Sequence, residues 1–299
     1  MIGVIGGTGL GETLFGVASG SIHDLDTPWG KPSSPIRVVR WHGADVALLA
    51  RHGDGHVLAP AEVPYRANIY ALKALGVTHL LASGAVGSLR DEFRPRDLVI
   101  CDQVIDRTWR RVPTFFDKDL AVHVEFAEPF CDSLRHLLLS VANRVQKEIP
   151  AVGPRVHPRG TYLCMEGPAF STRAESQLHR AWGADLVGMT ALPEAKLARE
   201  AEMSYALVAL VTDYDCWKPH AEAADGCDLL EEIIGNLKQA TLNAMNLMRA
   251  AIEAFAIKPL PPSPIHTGLD LAIWTERAKV TPEVAARYGV LLERYLKAR

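Results

Sequence analysis

Between positions 64 and 84 the chain reads Pro64-Tyr65-Arg66-Ala67-Asn68-Ile69-Tyr70-Ala71-Leu72-Lys73-Ala74-Leu75-Gly76-Val77-Thr78-His79-Leu80-Leu81-Ala82-Ser83-Gly84. Tyr65, Ile69, Leu72 and Leu75 recur at helical spacing, and Gly76 stands where a helix would stop. The segment therefore predicts a crossover helix feeding a strand that begins at His79. Upstream, Val46–Ala50 predicts the strand before the crossover. Short β-branched runs alternate with longer helical patterns along the rest of the chain, with further strands predicted over Ile2–Ile5, Ile36–Trp41, Leu98–Cys101, Thr161–Met165, Leu186–Met189 and Tyr205–Thr212. That alternation is the signature of an α/β sheet rather than of a bundle or a sandwich.

Helices fill the gaps. Thr172-Arg173-Ala174-Glu175 has capping-box spacing, in which a hydroxyl and a carboxylate satisfy free helical N–H groups, and a long helix is predicted from about Asp228 to Phe255. After Lys258 the chain turns to Pro-Leu-Pro-Pro-Ser-Pro, too rich in proline for a helix or a central strand. Thr281-Pro282-Glu283 then offers an N-cap with proline at the first helical position, predicting a terminal helix to Lys297. The expected organisation is one domain over 1–257, with 258–299 a proline-rich linker and C-terminal helix packing on that domain or on a neighbouring subunit.

The chain has 299 residues, 48% of them hydrophobic, enough to bury a sizeable core. A formal charge of −3 and a pI near 6.4 leave no basic excess for a nucleic-acid backbone, so no nucleic-acid partner is expected. The N-terminus carries no charged leader and no apolar run approaches a membrane span, which predicts a cytoplasmic protein with no membrane partner. Five cysteines, odd in number, far apart and never in a CxxC pair, read as reduced packing groups and not as disulfides or a zinc cage.

Five segments could carry chemistry. Gly6-Gly7-Thr8-Gly9-Leu10-Gly11 follows a strand, where glycines bring backbone N–H groups close to an anion and Thr8 adds a hydroxyl; its spacing fits neither the dinucleotide fingerprint nor the Walker loop. A tight turn is the alternative. Arg51-His52-Gly53 stands at the carboxyl end of a strand, the usual ligand edge of an open α/β sheet, with an arginine able to grip phosphate in a two-pronged way. Ala82-Ser83-Gly84-Ala85-Val86-Gly87-Ser88 is another small-residue strand end. Met165-Glu166-Gly167-Pro168-Ala169-Phe170-Ser171 is a stiff turn whose Phe170 either packs in the core or offers a stacking platform to a flat base. Finally, Thr212-Asp213-Tyr214-Asp215 puts two acids just past an apolar strand, where they lie in solvent or serve a ligand.

Together with Asp26-Thr27-Pro28-Trp29-Gly30-Lys31-Pro32-Ser33, Asp102-Gln103-Val104-Ile105-Asp106-Arg107-Thr108 and Ala127-Glu128-Pro129-Phe130-Cys131, these segments make the chain resemble the trimeric purine nucleoside phosphorylases, and within them the 5′-methylthioadenosine phosphorylases. The resemblance spans roughly the first 230 residues, in family order. It implies a single α/β domain whose central sheet is mixed and partly barrel-like, flanked by helices. It also implies a homotrimer acting on a small nucleoside, with inorganic phosphate as co-substrate and no cofactor or metal. Phosphate would be bound by Thr8, Arg51, His52, Gly84, Ala85 and Thr190. Phe170 would stack on the purine, Met189 would pack beside the ribose, and Ser171, Asp213 and Asp215 would line the polar edge of the base, with His123 reaching the 5′ substituent from the neighbouring subunit. Gly226, where relatives carry valine, would face that substituent along with Leu229 and Leu230, giving a wider pocket, and Gly84 replaces a threonine of the relatives.

The implied reaction is phosphorolysis of 5′-methylthioadenosine to adenine and 5-methylthioribose 1-phosphate, with Asp213 as proton donor at N7. The alternatives are 6-oxopurine nucleosides such as inosine or methylthioinosine, and other 5′-modified adenosines. Relatives that cleave 6-oxopurines place asparagine and glutamate where Asp213 and Ser171 stand, whereas an aspartate oxygen can accept from the 6-amino group of adenine.

Overall fold

The computed structural model describes residues 1–8, 10, 20–146, 154–218 and 226–297. Its main elements in chain order are β1 (Ile2–Gly6), β2 (Ser21–His23), β3 (Ile36–Trp41), β4 (Ala44–Ala50), α1 (Tyr65–Ala74), β5 (His79–Ser88), β6 (Leu98–Ile100), β7 (Gln103–Arg107), α2 (Asp132–Gln146), β8 (Val156–His157), β9 (Thr161–Met165), α3 (Arg173–Ala181), β10 (Leu186–Gly188), α4 (Glu194–Glu200), β11 (Ser204–Tyr214) and α5 (Gly226–Ile257). Every predicted strand is present. The short β2 and β8, and β7, were not predicted as strands; two of the three have no apolar run of their own and take their conformation from their neighbours.

Among the described residues, 11 strands form one mixed sheet. β4, β1 and β5 lie side by side in parallel, with α1 as the crossover between β4 and β5. Both faces are covered. Val4, Leu48, Val208 and Leu210 point to one layer with Leu134, Leu138, Ala244 and Met248 of α2 and α5, while Ile5, Leu49, Leu207 and Ala209 point to the other with Ile69, Leu72 and Leu197 of α1 and α4. This two-sided burial is why the central strands read as continuous apolar runs instead of alternating with polar residues.

The sheet forks at β5. Along one edge β11 runs parallel to it from His79 to Ser88; along the other, β1 pairs with residues 79–82 and antiparallel β10 with Gly87 and Ser88. Between them, residues 83–86 have no strand on that edge among the described residues. The fork lies at the Ser83-Gly84-Ala85-Val86 segment. Opposite it, the β5–β11 register shifts between Val211 and Asp213, a bulge that turns the strand end.

The capping box of α3 forms as predicted: Thr172 Oγ1 accepts from the Glu175 N–H at 3.2 Å, and the Thr172 N–H donates to Glu175 Oε2 at 2.8 Å. Replacing Thr172 by alanine is expected to lower stability by about 1 kcal/mol, measurable as a fall in the denaturant midpoint at unchanged slope.

The tail departs from the single helix expected. Thr281 caps Pro282–Tyr288, but Gly289 takes φ 48° and the chain turns before a last helix over Glu293–Lys297. A side chain at 289 would collide with the Tyr70 hydroxyl, so the chain passes close to α1 here while Tyr288, Leu291 and Leu292 bury themselves in the core layer that α1 helps form. Arg294 then binds Glu202, at the foot of β11, and Asp270. No helix among the described residues is long and apolar enough to cross a membrane.

Candidate active site

The fork and the bulge open onto one cavity of about 610 Å³, a size suited to a small-molecule ligand. It gathers residues from all five sequence segments. Thr8, Arg51, His52, Gly84, Ala85 and Thr190 line it, as do Phe170, Ser171, Met189, Asp213 and Asp215.

Arg51 follows β4 and is fully buried. Its Nη1 donates to the Ser83 carbonyl at 2.6 Å, satisfying the β5 edge that the fork leaves free. Its Nε and Nη2 grip both oxygens of Glu194 at 2.8 Å, and Glu194 also accepts from the Tyr205 hydroxyl at 2.8 Å. The carboxylate holds the Arg51 guanidinium charged despite complete burial, and burial, followed by the negative charge of Glu194, keeps the Tyr205 phenol protonated far above the usual range. Three of the five guanidinium hydrogens are thus committed, leaving two for a ligand. Glu194 and Tyr205 were not predicted. Glu194 opens α4, and nothing in local spacing reveals that it meets a residue 143 positions away.

His52 is turned by its own backbone neighbourhood. Nδ1 lies 2.8 Å from the Leu58 carbonyl, and the ring sits 4.3 Å from that of His56. Burial, followed by the adjacent Arg51 charge, pushes its pKa down to about 4.

Phe170 lines the cavity and is 75% exposed, which excludes the core alternative for this residue. The turn that carries it is clamped from behind by Arg111, whose guanidinium reaches Glu166 Oε1 at 3.1 Å and the carbonyls of Glu166 at 2.7 Å, Leu192 at 2.7 Å and Met189 at 2.5 Å. Glu166 accepts in turn from the Trp109 N–H at 2.7 Å. Gly167 has φ 67°, and a side chain there would meet Met189 Sδ at 2.5 Å, so glycine is what lets Met189 pack beneath the turn. Arg111 was not predicted either; it lies outside every segment with a ligand signal.

Asp213 and Asp215 reach the cavity through the bulge. Thr212 donates to Asp213 Oδ1 at 2.5 Å, and Asn236 of α5 donates to the Thr212 carbonyl at 2.9 Å, pinning the irregular turn of backbone. Asp215 is buried, and among the described residues its Oδ2 has no hydrogen-bond partner.

Two sets of predicted site residues are not among those that line the cavity. His123 does not line this cavity; it is exposed, its N–H bonded to the Ala272 carbonyl at 2.9 Å and its ring 4.6 Å from the exposed Trp274. Gly226, Leu229 and Leu230 fall in the first turns of α5, and their side chains lie outside the described residues. Further along the same helix, Ile233 and Leu237 do line the cavity. Of the cysteines, Cys101, Cys131 and Cys164 are buried and unpaired, Cys216 is half-buried and unpaired, and Cys227 lies outside the described residues. No group of metal-binding side chains occurs among the described residues.

An α/β sheet that forks to hold an arginine beside small-residue strand ends, with two carboxyl groups lining the same cavity, can hold an anion and a proton donor together. The chain belongs to the phosphorylase superfamily, whose family model matches residues 1–253. It is 47% identical to S-methyl-5′-thioadenosine phosphorylase of Gloeobacter violaceus, over 98% of this chain and 95% of that one. A crystal structure of methylthioadenosine phosphorylase from an antarctic soil metagenomic library superimposes with a TM-score of 0.88 at 42% identity, covering 97% of this chain and 98% of that one. A mutant adenosine/methylthioadenosine phosphorylase of Schistosoma mansoni in complex with methylthioadenosine gives a TM-score of 0.77 at 36% identity, over 86% and 92% of the two chains.

Proposed function

We propose that the protein cleaves the N-glycosidic bond of 5′-methylthioadenosine with inorganic phosphate, giving adenine and 5-methylthioribose 1-phosphate. The observation that carries this reading is the gathering of Arg51, His52 and Thr190 with Asp213 in one cavity, together with relatives of that activity along nearly the whole chain.

As the bond between ribose and purine breaks, positive charge develops on the sugar and negative charge on the base. The catalyst therefore needs an anionic nucleophile beside the sugar and a proton donor at N7. Arg51, with Thr8, His52, Gly84, Ala85 and Thr190, holds the phosphate. Met189 packs against the ribose and Phe170 stacks on the base. Asp213, as a carboxylic acid, gives its hydrogen to N7 and accepts from the 6-amino group through its other oxygen, while Ser171 and Asp215 line the remaining polar edge. No cofactor or metal enters this scheme. The active form is a homotrimer in which His123 serves the cavity of a neighbouring subunit; His123 is exposed and does not line its own cavity, which supports that part of the reading.

The deciding experiment is a panel of adenosine, 5′-methylthioadenosine, 5′-deoxyadenosine, methylthioinosine and inosine, assayed with and without phosphate. Base release is expected only with phosphate, with kcat/KM for 5′-methylthioadenosine exceeding that for inosine by about 10⁴, as for sites built around a hydrogen bond that the analogue cannot make. Faster consumption of inosine would replace this reading by the 6-oxopurine one.

A further inference from the structure

We propose that His52 selects the nucleophile by accepting a hydrogen bond from it, so that the site takes tetrahedral oxyanions that carry a hydrogen at neutral pH and discriminates against those that carry none. Phosphate and arsenate belong to the first class, sulfate and fluorophosphate to the second. The inference rests on the phosphate site proposed above and adds to it the direction of one hydrogen bond.

The direction follows from what lies on the two sides of the ring. The Leu58 carbonyl, 2.8 Å from Nδ1, can only accept, so Nδ1 carries the hydrogen. A neutral imidazole has one N–H, which leaves Nε2 with a lone pair. Among the described residues Nε2 has no hydrogen-bond partner, and His52 lines the cavity. Adding a second hydrogen would place an imidazolium beside Arg51 and His56, with Arg111 also near enough to oppose it. The carboxylate at this end, Glu194, is already engaged by Arg51 and Tyr205. Burial and these neighbours hold the ring neutral down to about pH 4.

Among the described lining residues, the two uncommitted Arg51 hydrogens and the hydroxyls of Thr8 and Thr190 can donate to an anion. A fixed acceptor beside these donors is the complement of hydrogen phosphate, which has one hydroxyl and three terminal oxygens. Sulfate has the same shape and charge but would set an oxygen lone pair against that of Nε2. Coulomb attraction and size therefore do not separate the two anions, whereas this contact does. An unmatched buried polar pair costs roughly 10- to 100-fold in affinity. Sulfate can escape that cost by bringing a proton onto His52, a route that becomes the cheaper one only below about pH 5–6, so its binding is level above that range and gains about tenfold per pH unit below it, towards the histidine's folded value of about 4.

The test measures binding of the four anions to the full-length protein by calorimetry, with phosphate KM and inhibition constants from base release alongside. At pH 7.5 arsenate is expected within a few-fold of phosphate, and sulfate and fluorophosphate roughly 10- to 100-fold weaker. Sulfate binding should stay level from pH 7.5 to about 6 and then tighten, approaching about tenfold per unit below about pH 5, with phosphate changing much less. In His52→Gln, whose amide can turn an N–H outward, the gap between phosphate and sulfate should narrow. Sulfate binding as tightly as phosphate at pH 7.5, or failing to tighten relative to phosphate between about pH 6 and 4.5, overturns the proposal. The wild-type pH series decides between these outcomes even if His52→Gln does not fold. Failure of the phosphorylase reading is a separate result, namely anion binding with no phosphate-dependent base release from any nucleoside.

Discussion

Replacing Asp213 by asparagine is expected to lower kcat/KM for adenine nucleosides by about 10² to 10⁴, the usual worth of a positioned general acid. The amide keeps the size of the carboxyl group and its Oδ1 can still accept from Thr212, so the bulge and the cavity should survive. What it loses is the acidic hydrogen for N7. It also loses the pattern of one donor and one acceptor that suits N7 and a 6-amino group: an amide nitrogen offers hydrogens to both N7 and a 6-keto oxygen. The same substitution should therefore raise the ratio of inosine to 5′-methylthioadenosine turnover while total activity falls. An unchanged kcat/KM, in a variant whose melting temperature matches the parent, would remove Asp213 from the mechanism.

Replacing Arg51 by alanine should have two separable consequences. Phosphate KM should rise far more than nucleoside KM, because the guanidinium offers its two free hydrogens only to the anion; an effect confined to the nucleoside would contradict the assignment. The fold should also lose about 3–5 kcal/mol, because Glu194 is left as a buried charge without its partner. A double variant, Arg51→Met with Glu194→Gln, separates the two effects. It removes both charges and keeps an acceptor for the Tyr205 hydroxyl, so most of the stability should return while phosphate binding does not. Denaturant unfolding of the single and double variants, read beside their phosphate KM values, measures both.

The structure also gives physical reasons for what local patterns do not reveal. β2 and β8 are two or three residues long and hold their conformation through the strands beside them, so no periodicity marks them. The terminal helix is shorter than its sequence signals suggest, because Thr281-Pro282-Glu283 gives a sound start and nothing before Lys297 but Gly289 suggests a stop. It is the approach to Tyr70 that makes that glycine a break. Arg111 and Glu194 carry no local signal for another reason. Each sits on an unremarkable segment and acquires its role from distant partners, 46 to 81 positions away along the chain for Arg111 and 143 for the Glu194–Arg51 pair.

By itself the sequence determined the elements and the chemistry at their ends: apolar runs covered on both faces, a capped helix after residue 172, and small or charged residues where strands stop. These are matters of a few neighbouring residues, because helix and strand periodicity, capping and turn chemistry act over one or two turns of backbone. Only the tertiary structure decided that β5 would fork, that Arg51 would reach into the fork and be held there by Glu194, that a bulge would turn Asp213 into the same cavity, and that Phe170 would stand exposed in its lining and not in the core. Each of those outcomes depends on packing between segments far apart in the chain, where the cost of leaving a carbonyl, a cation or a carboxylate unpaired is balanced over the whole layer and has no local signature.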